Sequence, residues 1–223
     1  MVPYAEGPVT LLRREHKVLL APGEARDIAA RLGAGGAVTT RVATVYFDAP
    51  GAPLALRALA SPGDCVKVRA KAYLPDRSGR PGHVVLELKH ERGGLTTKDR
   101  TWMPRSALAR ALACLPLPGP LAPLVATSYR RRVWQPCEGW RVTLDDGLRF
   151  HPAGWPLLEP GAPPWPDGLP PPLGAEPRAV LELKLGADAP PRWLVALVTA
   201  RAQPYSKLAE AFSRAAPART RRA

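Results

Sequence analysis

The sequence predicts an α+β protein built on a closed, antiparallel, eight-stranded β-barrel with flanking helices. Three observations carry this. Short segments alternate charged and apolar residues with the period of two expected of strands. Clusters of Pro and Gly punctuate them as turns. Helical stretches lie mainly at the ends of the strand series, as in strand-centred α+β folds.

The elements follow in order. Residues 9–20, VTLLRREHKVLL, read as the first strand, and 23–32 as a short helix closed by Gly33. Residues 41–48 form the second strand, followed by the turn-rich APGAP. Residues 64–74 and 83–90 are the third and fourth strands, joined by PDRSGRPG, and 95–103 the fifth. A helix is expected at 105–114, then a hairpin of 125–135 and 139–150 around Pro136–Gly139. The stretch 152–177, rich in Pro, Gly and Trp, reads as a long loop or a poorly ordered insertion. Residues 178–185 are the last strand, and helices at 191–201 and 204–215 close the chain, with Pro191 suited to a first helical turn. Residues 1–213 are expected to form one domain. Four arginines among residues 214–223 suggest a basic tail.

Composition narrows the function. With 46% hydrophobic residues and six Trp, the 223-residue chain can build a core, which excludes global disorder. A net charge of +13 points to polyanionic partners: nucleic acid, anionic membrane or phosphate-rich small molecules. Three widely spaced cysteines argue against a disulfide framework or a zinc site. No signal peptide and no stretch of roughly 20 apolar residues is present, so a cytoplasmic protein is expected. The four His lack ligand spacing, and no Gly-rich phosphate loop or nucleophile elbow occurs.

The charges fall on one face. Residues two apart in a strand share a side. On that rule Arg13, Glu15 and Lys17 point together, as do Lys67, Arg69 and Lys71. The same holds for Glu87 with Lys89, Lys98 with Arg100, Arg141 with Thr143 and Asp145, and Glu182 with Lys184. The residues between them are mostly apolar. The ordinary explanation is a solvated polar face over a core. However, a solvated face would mix in Ser, Thr, Gln and Asn, whereas this one is mainly basic and repeats Glu-x-Lys at 15–17, 87–89 and 182–184. Turned inward in a barrel, it would make a basic tunnel holding a few carboxylates. A triphosphate needs such a tunnel, with several Lys and Arg donors and oxygen ligands for its divalent metal.

In order along the chain, RREHKVLL (13–20), VYFDAPG (45–51), KVRAK (67–71), LELKH (86–90), KDR (98–100), SYRRR (128–132), RVTLDDGLR (141–149), LELKL (181–185) and YSKLAEAF (205–212) resemble the VTC (vacuolar transporter chaperone) domain of polyphosphate polymerases. That domain belongs to the triphosphate tunnel metalloenzymes, with CYTH-type phosphatases as relatives. The resemblance implies phosphate binding by Lys17, Lys67, Arg69, Lys89, Lys98, Arg100, Arg131, Arg141 and Lys184, with Lys71 of the same parity. It implies a catalytic group of Lys67, Arg69, Arg131, Arg141 and Lys207, the last at the tunnel mouth. Glu182 resembles the metal ligand, with Glu15 and Glu87 as further candidates for Mn²⁺ or Mg²⁺. Tyr46, Phe47 and Asp48 are expected to be structural, and the Trp residues to pack in core or loops.

CYTH-type hydrolases begin Glu-x-Glu-x-Lys, and Arg13 stands in the first place here. That favours a polymerase using ATP and extending polyphosphate. The alternatives are an inorganic triphosphatase and a non-catalytic polyphosphate- or nucleotide-binding module. Specific nucleic-acid binding is not expected, because few aromatics fall at strand centres. A tunnel open at both ends would favour synthesis, since product must leave while substrate enters.

Overall fold

The computed structural model describes residues 15–33, 36–74, 82–93, 95–117, 119–136, 139–159, 161–185 and 189–220. Arg13 and Arg14, which carry part of the first motif, lie outside them. The strands are β1 (Glu15–Leu20), β2 (Val38–Asp48), β3 (Cys65–Leu74), β4 (His83–Arg92), β5 (Leu95–Pro104), β6 (Ala122–Trp134), β7 (Trp140–Pro152), β8 (Gly174–Glu176) and β9 (Ala179–Leu185). The helices are α1 (Pro22–Arg31), α2 (Pro53–Ala60), α3 (Leu108–Ala113), α4 (Arg192–Arg201) and α5 (Lys207–Thr220).

All strand pairings are antiparallel, in the order β1-β9-β7-β6-β2-β3-β4-β5, with the short β8 beside β7. This corrects the expected closed barrel. The sheet curls but stays open, because β1 and β5 share no backbone ladder among the described residues. Side chains cross the seam instead: Lys98 of β5 pairs with Glu15 of β1, and Lys89 of β4 lies 3.5 Å from Glu15. A charged seam suits these edges, since a long bare strand edge invites pairing with other chains.

Most apolar residues of the alternating strands face outward and are covered. α1 and α4 pack over Val18, Leu20, Val142, Leu144, Leu181 and Leu183. α3 and the Pro-rich stretch cover Val45, Val68, Ala70, Val84 and Leu86. The Pro-rich stretch is therefore an ordered cover: Leu157, Leu158 and Trp165 are buried in it, and the Trp165 indole donates to the Leu157 carbonyl at 3.2 Å. Burying three such side chains contributes roughly 1.5–3 kcal/mol each.

Two differences concern helices. α2 begins at the last residue of APGAP and fills a stretch for which the sequence predicts no element. Its first turn is held by the Asp48 carboxylate, which accepts from the backbone N–H groups of Leu54 and Ala55 at 3.1 and 2.8 Å. α5 runs on to Thr220, past the expected start of the basic tail at 214, and Arg214 packs over the Phe150 ring at 4.6 Å. α2 and α5 fill one end of the curled sheet from within, packing Ala55, Ala58, Leu208 and Ala211 against Tyr46, Val125, Tyr129 and Phe150. Among the described residues, no helix is long and apolar enough to cross a membrane.

Candidate active site

The concave face encloses a cavity of about 460 Å³. Eleven Lys and Arg line it: Lys17, Lys67, Arg69, Lys71, Lys89, Lys98, Arg100, Arg131, Arg141, Lys184 and Lys207. Every basic residue expected from the alternation that falls among the described residues is thus brought to one place, with Lys71 among them; Arg13 lies outside the described residues. The solvated-face explanation fails on burial, since Lys67, Lys71, Lys89 and Lys184 are at most 6% exposed. Their alternation with apolar residues separates an outer hydrophobic face from an inner charged one.

Five carboxylates make this burial tolerable, because a buried charge must be paired. Glu87, 0% exposed, accepts from Arg69 Nε at 2.8 Å, Arg100 Nε at 2.7 Å and Lys71 Nζ at 3.1 Å. Burial raises its pKa, but Arg69, Lys71 and Arg100 outweigh burial and hold it well below the usual carboxylate range. Both oxygens are taken up by these cations and the side chain does not reach the cavity wall. Glu87, one of the metal candidates read from the sequence, here joins β3, β4 and β5 through these cations.

Glu91 accepts from Lys67 and, at 2.6 Å, from Lys89. Burial opposes its ionisation, yet Lys89 and Lys67 bring its pKa down to about 2. It was missed in the sequence, although it lies two residues past Lys89, on the same parity. Asp145 is bidentate to Arg131 at 2.6 and 2.7 Å and accepts from Lys207 at 2.7 Å. It thereby fixes both Arg131 and the start of α5. Lys207 also lies 4.9 Å from the Tyr129 ring centroid, and Arg131 5.3 Å from it. Tyr46, Tyr73 and Tyr129 line the cavity as well, so Tyr46 serves the site in addition to the core.

Glu15 and Glu182, on paired strands β1 and β9, come within hydrogen-bonding reach of each other at the cavity wall. Lys184 lies 2.9 Å from Glu182 and 3.7 Å from Glu15, and Thr143 Oγ1 donates to Glu182 at 3.4 Å. Burial and mutual repulsion push the Glu15 pKa up, but Lys184 and Lys89 hold it below the ordinary value. Burial pushes the Glu182 pKa up, but Lys184, Lys17 and Arg131 together hold it well below its own ordinary value. Two ionised carboxylates in contact repel unless a cation or proton lies between them. This donor set fits a hard divalent ion, which takes one or two carboxylates and completes its shell with water and phosphate oxygens. Among the described residues no group of three or more His, Cys, Asp or Glu forms an all-protein metal cage.

The cations are not all ordinary. Burial, with Lys89 nearby, brings Lys17 down to about 8, and its Nζ donates to the Tyr205 carbonyl at 2.8 Å. Burial also brings Lys98 down to about 8, with Lys184 and Lys89 acting against the support of Glu15. Lys71, buried beside Arg69, lies well below its usual value. Eleven Lys and Arg against five carboxylates leave an excess of positive charge that a bound anion would offset.

Residues 117–214, a little under half of the chain, match the VTC domain. No curated protein matches the sequence. Solved structures share the fold over most of their length. A Bacillus halodurans protein provisionally assigned as an adenylate cyclase superimposes with a TM-score of 0.53 at 12% identity, covering 91% of this chain and 98% of that one. HpAC1 from Hippeastrum, described by a dominant triphosphatase activity, gives 0.52 at 16% identity, covering 91% and 96%. The PH1819 protein of Pyrococcus horikoshii gives 0.50 at 11% identity, covering 92% and 98%. Residues 117–214 thus match the VTC domain, and the chain as a whole shares its fold with these solved structures.

Proposed function

We propose that this chain transfers the γ-phosphate of ATP to a growing polyphosphate chain inside the basic cavity. The observation that carries the reading is the charge imbalance. Eleven Lys and Arg face one enclosed volume, and the carboxylates among them are already engaged by cations. The VTC-matching segment supplies Arg131, Arg141, Glu182, Lys184 and Lys207 to that volume.

Arg69, Arg100, Arg131 and Arg141 offer planar forks to phosphate oxygens, and the lysines add point charges. Asp145 holds Arg131 and Lys207 in position, and Glu87 does so for Arg69 and Arg100. The attacking group is a terminal phosphate oxygen, already ionised, so no side chain needs to act as a base. Phosphoryl transfer then depends on in-line positioning and charge neutralisation. Glu15 and Glu182 would hold Mn²⁺ or Mg²⁺, which when bound offsets charge on phosphate oxygens. Enclosure reduces access of water, the competing acceptor.

One observation favours a second reading. α2 and α5 pack within one end of the curled sheet, which argues against the two-ended tunnel that synthesis would favour. A triphosphatase needs no second opening. The decisive experiment incubates the pure chain with γ-labelled ATP and Mn²⁺ and resolves products by size. Label in a polymer, with ADP released, is the expected outcome. Label only in orthophosphate establishes the triphosphatase, and unchanged ATP with every divalent metal leaves a binding module.

A further inference from the structure

The cavity lining changes character at one end. Arg100, Glu87 and Arg69 form one cross-strand row over β5, β4 and β3, with Arg100 opposite Glu87 and Glu87 opposite Arg69. Two residues further along, the same three strands carry Trp102, Val85 and Lys71 in register. Tyr73 follows Lys71 on the same face, its ring centroid 6.1 Å from that of Trp102 with planes 41° apart. Val133 and Gln135, at the end of β6, line the cavity too. Antiparallel pairing puts these positions at one end of the sheet, since Leu74 pairs with Arg41 and Val133 with Val38 at the start of β2. α2 and α5 fill the sheet from the other side, where Cys65, Val125 and Val180 pack, and Tyr73 borders that cluster.

Apart from Lys71, this rim offers an all-phosphate ligand little. Two aromatic rings, two valines and an amide do not compensate negative charge. They do suit a planar, uncharged heterocycle: rings supply stacking surface, and an exposed glutamine supplies one donor group and one acceptor. The spacing fits as well. Two residues along a strand advance about 7 Å, so a sugar can bridge the guanidinium row and the aromatic row. We propose that Tyr73, Trp102, Val85, Val133 and Gln135 form a nucleobase subsite, selecting nucleoside triphosphates over inorganic polyphosphates as the entering ligand. The inference rests on the reading that the basic cavity takes the triphosphate group. It also orients that ligand, with its base at the open rim and its terminal phosphate toward Lys207.

The test compares three probes by calorimetry on the full chain: ATP, methyl triphosphate and inorganic tripolyphosphate. Wild type is expected to bind ATP about tenfold more tightly than methyl triphosphate, the scale of one base stacked on an aromatic ring. Trp102→Ala should lower ATP affinity about tenfold relative to tripolyphosphate, and Trp102→Phe should retain most of the preference. Tripolyphosphate binding with no wild-type preference for ATP over methyl triphosphate overturns the subsite and leaves the tunnel reading standing. A wild type that binds none of the three overturns both. The wild-type comparison decides the matter even if Trp102→Ala fails to fold.

Discussion

Glu87→Gln separates a structural carboxylate from a metal ligand. The change removes the one anion from among Arg69, Lys71 and Arg100 at a site with no solvent exposure. Each cation near 3 Å interacts with the carboxylate by about 5 kcal/mol at an effective dielectric of 20, most of which desolvation and cation–cation repulsion cancel. Loss of one partner from a buried ion cluster leaves a net cost of about 3–5 kcal/mol. For a chain of this size that lowers Tm by on the order of 10 °C. Differential scanning fluorimetry measures it directly. Saturating tripolyphosphate should narrow the gap between variant and wild type, because phosphate then supplies the missing negative charge to the three cations. The metal concentration needed for half-maximal turnover should not change. A variant with wild-type Tm and a shifted metal requirement would refute the reasoning and restore Glu87 as a ligand.

Further outcomes are expected. Glu182→Gln should abolish metal-dependent turnover while tripolyphosphate still binds, as read by product chromatography and calorimetry; near-wild-type turnover would sink the assignment of the Glu15–Glu182 pair. Phosphate binding should weaken as pH rises through about 8, where Lys17 and Lys98 lose their charge, with proton uptake visible in buffers of different ionisation enthalpy. The unliganded chain should respond oppositely: between about 8 and the ordinary lysine value the unfolded state holds more protons, so stability rises with pH there, and a fall would contradict the burial of these lysines. Asp145→Asn should free Arg131 and Lys207 together, destabilise the fold by about 3 kcal/mol and slow turnover; a double-mutant cycle with Lys207→Met should give strong coupling, and simple additivity would argue against the shared contact. Trp165→Ala should cost about 3–5 kcal/mol by opening a cavity under the Pro-rich cover, and a loss below 1 kcal/mol in chemical denaturation would show that this cover is dispensable.

The cavity lining was legible in the sequence because it depends on a local rule. A strand turns alternate residues to opposite sides, so Lys67, Arg69 and Lys71 had to point together, as did Glu182 and Lys184, wherever the strand lay. Which side faced inward was not local. The charged face turned inward because α1, α3, α4 and the Pro-rich stretch cover the apolar face, and those contacts join residues far apart in the chain. Tertiary structure also gave the carboxylates different partners. Glu15, Glu87 and Glu182 have the same Glu-x-Lys context, yet the register of β3, β4 and β5 surrounds Glu87 with three cations, whereas pairing of β1 with β9 brings Glu15 against Glu182. Closure was likewise beyond the alternation, which sets faces but not edges. The sheet is open at β1 and β5, and the Lys98–Glu15 pair spans the gap. Side-chain direction follows from neighbours one or two residues away, while charge partners and sheet edges follow from strands brought together by the whole chain.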